Sequence, residues 1–363
     1  MVTDLRLLQI RQEEYAHILE DSAVAQILAI EYDLQYDSVR GRLSRAYARN
    51  RATGDLKVAA NHVPDIAPNV ARQQAVITRS EQRWAAANVG DKRLAFVSDI
   101  HFPYTRWDAY RLMLEIINDF KPNFVTGMND LRDNKGFSRW PDKRSMRGRL
   151  WSQDDSALLK MELDHYHTLH EMGILVPALA GNHDNWLYQS LRGEGNATAE
   201  REIASYHDKL ERAGVLVFTD GYQENYLELS PSVVVWHGQF VQANSHTLAK
   251  KNLAHFMGVF NDGTARSVVA GHTHRPDVIA GEAVGYPGVQ FVNSGALTDY
   301  TPYMKRAPTA HGLGITLIEY NTYNRHHVID LVRFNEGTNR LSARWAGQTY
   351  SVPLDTSHPN EYR

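Results

Sequence analysis

Apolar and polar positions follow two different periods along this chain. Up to about residue 50 the spacing is helical. Residues 5–19 are periodic, residues 22–32 follow a cap at Asp21 or Ser22, and a third helix starts at Asp37 or Ser38. In that third helix Val39, Leu43, Ala46 and Tyr47 share a buried face and Arg42, Arg45 and Arg49 share another. Two helices joined by a tight turn, the second with an arginine stripe, resemble a helix-turn-helix DNA reader; a solvated face on a small helical bundle gives the same pattern. Residues 1–50 are therefore expected to form a small all-helical domain. Residues 51–90, with Pro64 and Pro68 in a polar stretch, read as a linker containing a short helix over 71–87.

From Leu94 the period shortens. Apolar runs at 94–98, 124–128 and 176–180 alternate with helical patterns at 110–120 and 158–172. Further strands at 215–218, 226–229, 233–236, 267–270, 289–293 and 314–320 follow with fewer helices between them. This predicts an α/β domain over residues 91–335, a two-sheet β-sandwich flanked by helices. Residues 336–363 are expected to be a C-terminal extension, weakly ordered from Gln348 onward.

Composition narrows the chemistry more than the fold. Hydrophobic residues at 43% and charged residues at 22% suit a folded globular protein. The longest apolar runs, such as Val233-Val234-Val235-Trp236, are far too short to span a membrane, and the first fifteen residues lack a signal-peptide core. A soluble, cytoplasmic protein without a membrane partner is expected. The absence of cysteine removes disulfides, thiolate catalysis and sulfur-ligated metals, leaving nitrogen and oxygen as donors. The net charge is only −3, but residues 131–151 carry seven Lys/Arg against two Asp, a local balance of +5.

Five motifs fall at the ends of predicted strands, where loops from a layered sheet converge. Asp99-Ile-His101 pairs a carboxylate with an imidazole two residues on. Asp130-Leu-Arg-Asp133 offers one carboxylate to bridge metals and another to orient a histidine. Gly181-Asn182-His183-Asp184 sets an amide oxygen beside an imidazole able to move a proton. His237 closes one strand, and Gly271-His272-Thr273-His274 closes another with two imidazoles that can address two metals. One histidine pair is usually structural; five ligand-bearing strand ends are not explained that way.

This ordered set, spanning residues 94–293, resembles the calcineurin-like metallophosphoesterase superfamily. The resemblance implies a β-sandwich with two divalent metals at one edge. Asp99, His101 and His274 would hold one, Asn182, His237 and His272 the second, and Asp130 would bridge. Asn129 stands where the superfamily usually has glycine; asparagine tolerates unusual backbone angles better than most residues. By the same resemblance His183 faces the substrate and Asp133 holds its ring. A hydroxide between the cations would attack phosphorus in line while His183 protonates the leaving oxygen. Nitrogen- and oxygen-rich coordination suits Mn2+, with iron or zinc as alternatives.

Other residues invite a metal or base-stacking role without requiring one. His165, His167 and His170 lie on a predicted helix and read as surface or packing residues. Trp140, Trp151 and Trp186 near the motifs could stack on bases, although packing is the simpler role. The motifs define a reaction type and leave the substrate open. The basic segment, with Arg139, Lys143, Arg144 and Arg147, and the arginine stripe point to DNA as partner and to a nuclease. A helical reader joined to such a domain suggests a bacterial or bacteriophage protein, cytoplasmic in the host in the latter case. The alternatives are a phosphatase or phosphodiesterase for a small molecule or phosphoprotein, and a DNA-binding or assembly protein with a scaffold domain.

Overall fold

The computed structural model describes residues 66–134, 154–193, 197–218, 226–242, 244–298 and 311–355. The expected amino-terminal helices, with Arg42, Arg45 and Arg49, lie outside the described residues, as do Arg139, Lys143, Arg144, Arg147, Trp140 and Trp151. The chain divides into two compact units. In the smaller, whose described residues are 66–74, 189–193 and 197–206, Gln73 Nε2 donates to the backbone oxygen and the carboxylate of Glu200 at 3.1 and 2.8 Å. The larger, Ala75–Tyr188 with His207–Arg363, carries every described strand and all the strand-end motifs.

Fourteen described strands form the layers of the larger unit. The first sheet has the order β14 (Gln348–Pro353), β13 (Arg340–Trp345), β12 (His327–Glu336), β11 (Gly314–Asn321), β1 (Asp91–Phe96), β2 (Phe124–Val125). A single bridge between Phe124 and Leu175 leads on to the three parallel strands β3 (Gly127–Met128), β4 (Val176–Leu179) and β5 (Val215–Leu216). The second sheet has the order β6 (Tyr226–Ser230), β7 (Val233–Trp236), β8 (Ser267–Ala270), β10 (Gln290–Asn293), β9 (Asp277–Ala280). Within each sheet the motif-bearing strands run parallel: β1 with β2, β3 with β4, and β7 with β8. Their carboxyl ends therefore gather at common edges, where α/β sheets usually bind ligands.

The two-residue period of a strand explains why the central runs are apolar throughout. Val233 and Val235 of β7 face the inter-sheet core, with Leu94, Phe96, Phe124, Val269, Val292 and Ile318. Val234 and Trp236 face the other way and pack under α6 (Ser245–Phe260) with Leu248, Leu253 and Phe256. Asn244 caps α6 by accepting the Thr247 N–H at 3.0 Å. On the outer face of the first sheet, α2 (Trp107–Phe120) buries Ala109, Leu112, Met113, Ile116, Ile117 and Phe120, one stripe at helical spacing. It ends in a left-handed Lys121 ahead of Pro122. Trp84 of α1 (Ile66–Ala87) packs on Phe124 at 4.7 Å between ring centroids. The remaining described α-helices are α3 (Asp154–Glu171), α4 (Asn182–Gly193) and α5 (Ala197–Arg212).

The α/β sandwich matches expectation, with three local corrections. The strand predicted over 124–128 breaks at Thr126, whose hydroxyl accepts the Val97 N–H at 2.9 Å and donates to the Val97 oxygen at 2.8 Å, so the chain changes neighbours there. The expected loose tail from Gln348 instead supplies β14, which pairs along β13 while Tyr350 and Val352 are buried. Helices α4, α5 and α6 occupy stretches for which the hydrophobic pattern predicted no helix. Of the three histidines on α3, His165 is buried and accepts from or donates to the Tyr110 hydroxyl at 2.8 Å, whereas His167 and His170 are exposed.

Candidate metal centre

Sharp turns at the strand ends bring the motifs to one point. Seven residues there, Asp99, His101, Met128, Asn129, Asp130, His272 and His274, have φ between 53° and 69°. Non-glycine residues adopt this left-handed region only when the surroundings over-determine it, at roughly 1–3 kcal/mol each, and such strain collects at functional sites. The surroundings here are a set of backbone bonds between loops: Asp99 N–H to Asn129 O at 2.9 Å, His101 N–H to Asp130 O at 3.0 Å, Asn129 N–H to Leu179 O at 2.6 Å and Gly271 N–H to His237 O at 2.9 Å.

Each carboxylate commits one oxygen to the scaffold and presents the other. Asp99 Oδ2 takes the Ser98 hydroxyl and the His272 N–H, the latter at 2.9 Å. Its Oδ1 lies 3.0 Å from His274 Nε2 and 3.6 Å from His101 Nε2. Asp130 Oδ1 takes the His183 N–H at 2.8 Å, and its Oδ2 lies 3.1 Å from His237 Nε2. The Asn182 side-chain oxygen stands 3.3 Å from His237 Nε2, and that position is 3.2 Å from Asp130 Oδ2 and 2.7 Å from His272 Nδ1. Hydrogen bonding alone would favour this amide turned over. An oxygen among a carboxylate and two imidazoles is instead the arrangement expected of a ligand to a shared cation.

The donor set fits divalent metal. Asp99, His101 and His274 form one group and Asp130, His237 and His272 another, each with donor atoms within 4.8 Å of one another. Donors at right angles around an ion at about 2.1 Å are about 3 Å apart, close to the spacings found. Two glycines make room. A Cβ on Gly181 would stand 2.0 Å from Asp130 Oδ1, and one on Gly271 would stand against the Ser98 hydroxyl, 2.8 Å from Asp99 Oδ2. These acids and imidazoles also perturb one another. Burial opposes ionisation of Asp99 and Asp130, yet neighbouring imidazoles hold both carboxyls below their ordinary value. Burial likewise opposes protonation of His237, but Asp130 and Asp99 raise its ring to about 9. Burial and His237 push His272 down to about 3. The carboxylates thus demand positive charge that protons supply only in part, and a bound cation would replace those protons.

Beside these groups, His183 Nδ1 lies 2.7 Å from Asp133 Oδ1, and its Nε2 is 4.0 Å from Asp130 Oδ2. All nine motif residues expected at the centre, Asp99, His101, Asp130, Asp133, Asn182, His183, His237, His272 and His274, are therefore brought together. The arginines and lysine expected to contact nucleic acid lie outside the described residues. Three further residues stand beside these nine, of which the sequence marked Asp184 within a motif and Trp186 near one. Asp184 Oδ2 accepts the Gly181 and Asp130 N–H groups at 2.8 and 3.0 Å, and burial next to Asp130 raises its carboxyl to about 7. The Trp186 ring lies 4.0 Å from that of His183, one turn along α4. His311 packs its ring 5.3 Å from that of His274. Asp184 sits within a motif and was legible as such; His311 has no local sequence signal.

The family model described as calcineurin-like phosphoesterase matches residues 92–276, about half of the 363-residue chain and all of the centre. A search of curated proteins gives no match. No helix among the described residues is long and apolar enough to cross a membrane.

Proposed function

Because the chain belongs to the calcineurin-like phosphoesterase family, we propose that its centre hydrolyses phosphodiester bonds and that DNA is the substrate. The observation that carries the reaction type is the pair of adjoining donor groups, Asp99 with His101 and His274, and Asp130 with His237 and His272. The first would hold one divalent ion; His237, His272 and Asn182 would hold a second, with Asp130 between them and manganese as the metal. Bound there, such ions supply charge neutralisation at the phosphate and activation of a water nucleophile. The protein's own contribution is orientation. Backbone N–H groups lock the outer oxygens of Asp99 and Asp130 so that the inner oxygens face the imidazoles of His274 and His237, where they would hold the ions. Asp133 fixes the His183 ring at Nδ1, which leaves Nε2 facing the centre, where a leaving oxygen would take its proton.

The case for DNA rests on charge close in sequence to Asp133, which holds that proton donor. The segment with a balance of +5 begins at Leu131 and includes Asp133 itself; Arg132 is buried against Glu162 at 2.8 Å, and the other six cations follow in sequence the residue that holds His183. Cations along a phosphate backbone add affinity without base preference. The complete set of donors argues against a scaffold role. The test is hydrolysis of labelled single- and double-stranded DNA with Mn2+, beside an aryl phosphodiester and with Asp130→Asn as control. DNA cleavage that disappears in the control supports the proposal. It should also fall, with aryl ester hydrolysis spared, when Arg139, Lys143, Arg144 and Arg147 are neutralised together. Hydrolysis of the aryl ester alone would overturn the DNA assignment in favour of a small-molecule or phosphoprotein substrate.

A further inference from the structure

Asn129 is buried and uses both ends of its side chain. Nδ2 donates to the Val97 oxygen at 2.7 Å, and Oδ1 lies 2.8 Å from His237 Nδ1. The roles in this relay follow from chemistry alone. A backbone carbonyl can only accept, so the amide nitrogen must face Val97 and the amide oxygen must face the imidazole. An amide oxygen can only accept, so Nδ1 of His237 must carry a proton. The free lone pair of a neutral His237 ring is then on Nε2, which is the atom 3.1 Å from Asp130 Oδ2 and 3.3 Å from the Asn182 oxygen. Among the described residues, His101 and His274 have no such partner at Nδ1.

We propose that Asn129 is a positioning residue for the metal centre: its amide holds His237 in the Nδ1–H form, with Nε2 aimed at the cation. This rests on the metal-centre reading above. The backbone of Asn129 adds β4 to the elements its amide joins, since its N–H donates to Leu179 and its oxygen accepts from Asp99, just past β1. One residue thus sets the distance between the ends of β1, β4 and β7. A purely conformational role is the competing explanation, because Asn129 has φ 56° and asparagine tolerates that region. Glycine tolerates it better still, so Asn129→Gly keeps the backbone and removes only the amide.

The experiment combines Mn2+ titration calorimetry of the full chain with long-range proton–nitrogen NMR of the zinc-loaded protein. Wild type should show His237 protonated at Nδ1 and metallated at Nε2. Asn129→Gly should bind Mn2+ about 10–100-fold more weakly, the usual effect of losing such a partner, and should lose the single ring state. Asn129→Asp, which keeps an acceptor toward His237, should retain the Nδ1–H signal. Wild-type Mn2+ affinity and an unchanged His237 spectrum in Asn129→Gly would overturn the proposal. So would a wild-type ring metallated at Nδ1, a result that requires no variant to fold. Failure of wild type to bind either metal would overturn the metal-centre reading itself, and the proposal with it.

Discussion

Gly181→Ala tests whether the strand-end loops are as closely fitted as they look. The added methyl would stand 2.0 Å from Asp130 Oδ1, 2.6 Å from its Cγ and 2.7 Å from its backbone nitrogen. Heavy atoms not bonded to one another pack best at about 3.5–4.0 Å, so the aspartate must retreat by more than about 1 Å. Side-chain rotation cannot supply that movement, because the backbone nitrogen is also too near. The loops carrying Asp130 and Asn182 must part, breaking the 2.8 Å bond from His183 N–H to Asp130 Oδ1 and turning Oδ2 away from His237. A displacement of about 1 Å at a reacting centre costs about 100-fold in rate, and overpacking costs about 1–3 kcal/mol in stability. Aryl phosphodiester turnover, Mn2+ calorimetry and urea unfolding read the three consequences separately. Gly258→Ala is the matched control: it is exposed on α6 with no atom within 4 Å of the new methyl, and should gain about 0.5–1 kcal/mol with turnover unchanged. Wild-type turnover and Mn2+ affinity in Gly181→Ala would refute the close fit.

His183→Ala should slow esters with poor leaving groups by about 100- to 10,000-fold, but activated aryl esters far less, and should leave Mn2+ affinity nearly intact; equal losses on both classes would remove His183 as the proton donor. Burial holds the His165 ring down to about 4. As pH falls from about 6.5 to 4 the unfolded chain takes up a proton that the folded chain does not. Up to about 3 kcal/mol of stability present at pH 7 is therefore lost across that window. Urea titrations at pH 7 and 4.5 should show His165→Asn losing less stability than wild type, and parallel losses would refute the assignment. Tyr166 accepts the Met128 N–H at 2.8 Å and donates to Glu162 at 3.0 Å; Tyr166→Phe strands that N–H and should cost about 1–3 kcal/mol, with no change in unfolding free energy as the refuting result.

How much of this was legible in the sequence follows from what each residue had to satisfy. Strands β7 and β8 appear with their boundaries because both faces are covered, which forces four consecutive buried residues in each. Strand β12 alternates exposed and partly covered positions over its first five residues, and β14 buries only Tyr350 and Val352. Neither offered an apolar run long enough to outweigh a polar context, so no strand was expected at 327–336, and a tail was expected from Gln348 where pairing with β13 makes a sheet. Helix α6 carried a readable cap in Asn244, but its polar positions Lys250 and Lys251 obscured the buried stripe. The site behaves differently from the fold, because residue type at a strand end says more than periodicity does. An aspartate, asparagine or histidine just past an apolar run has few reasons to be there, and nine such residues converge. What residue type does not reveal is which atom of a ligand faces the metal. Asn129 looked like a tolerated substitution on backbone grounds alone. Its amide, fixed at one end by the Val97 carbonyl, leaves His237 a single way to present a lone pair, and that constraint exists only once β1, β3 and β7 end side by side.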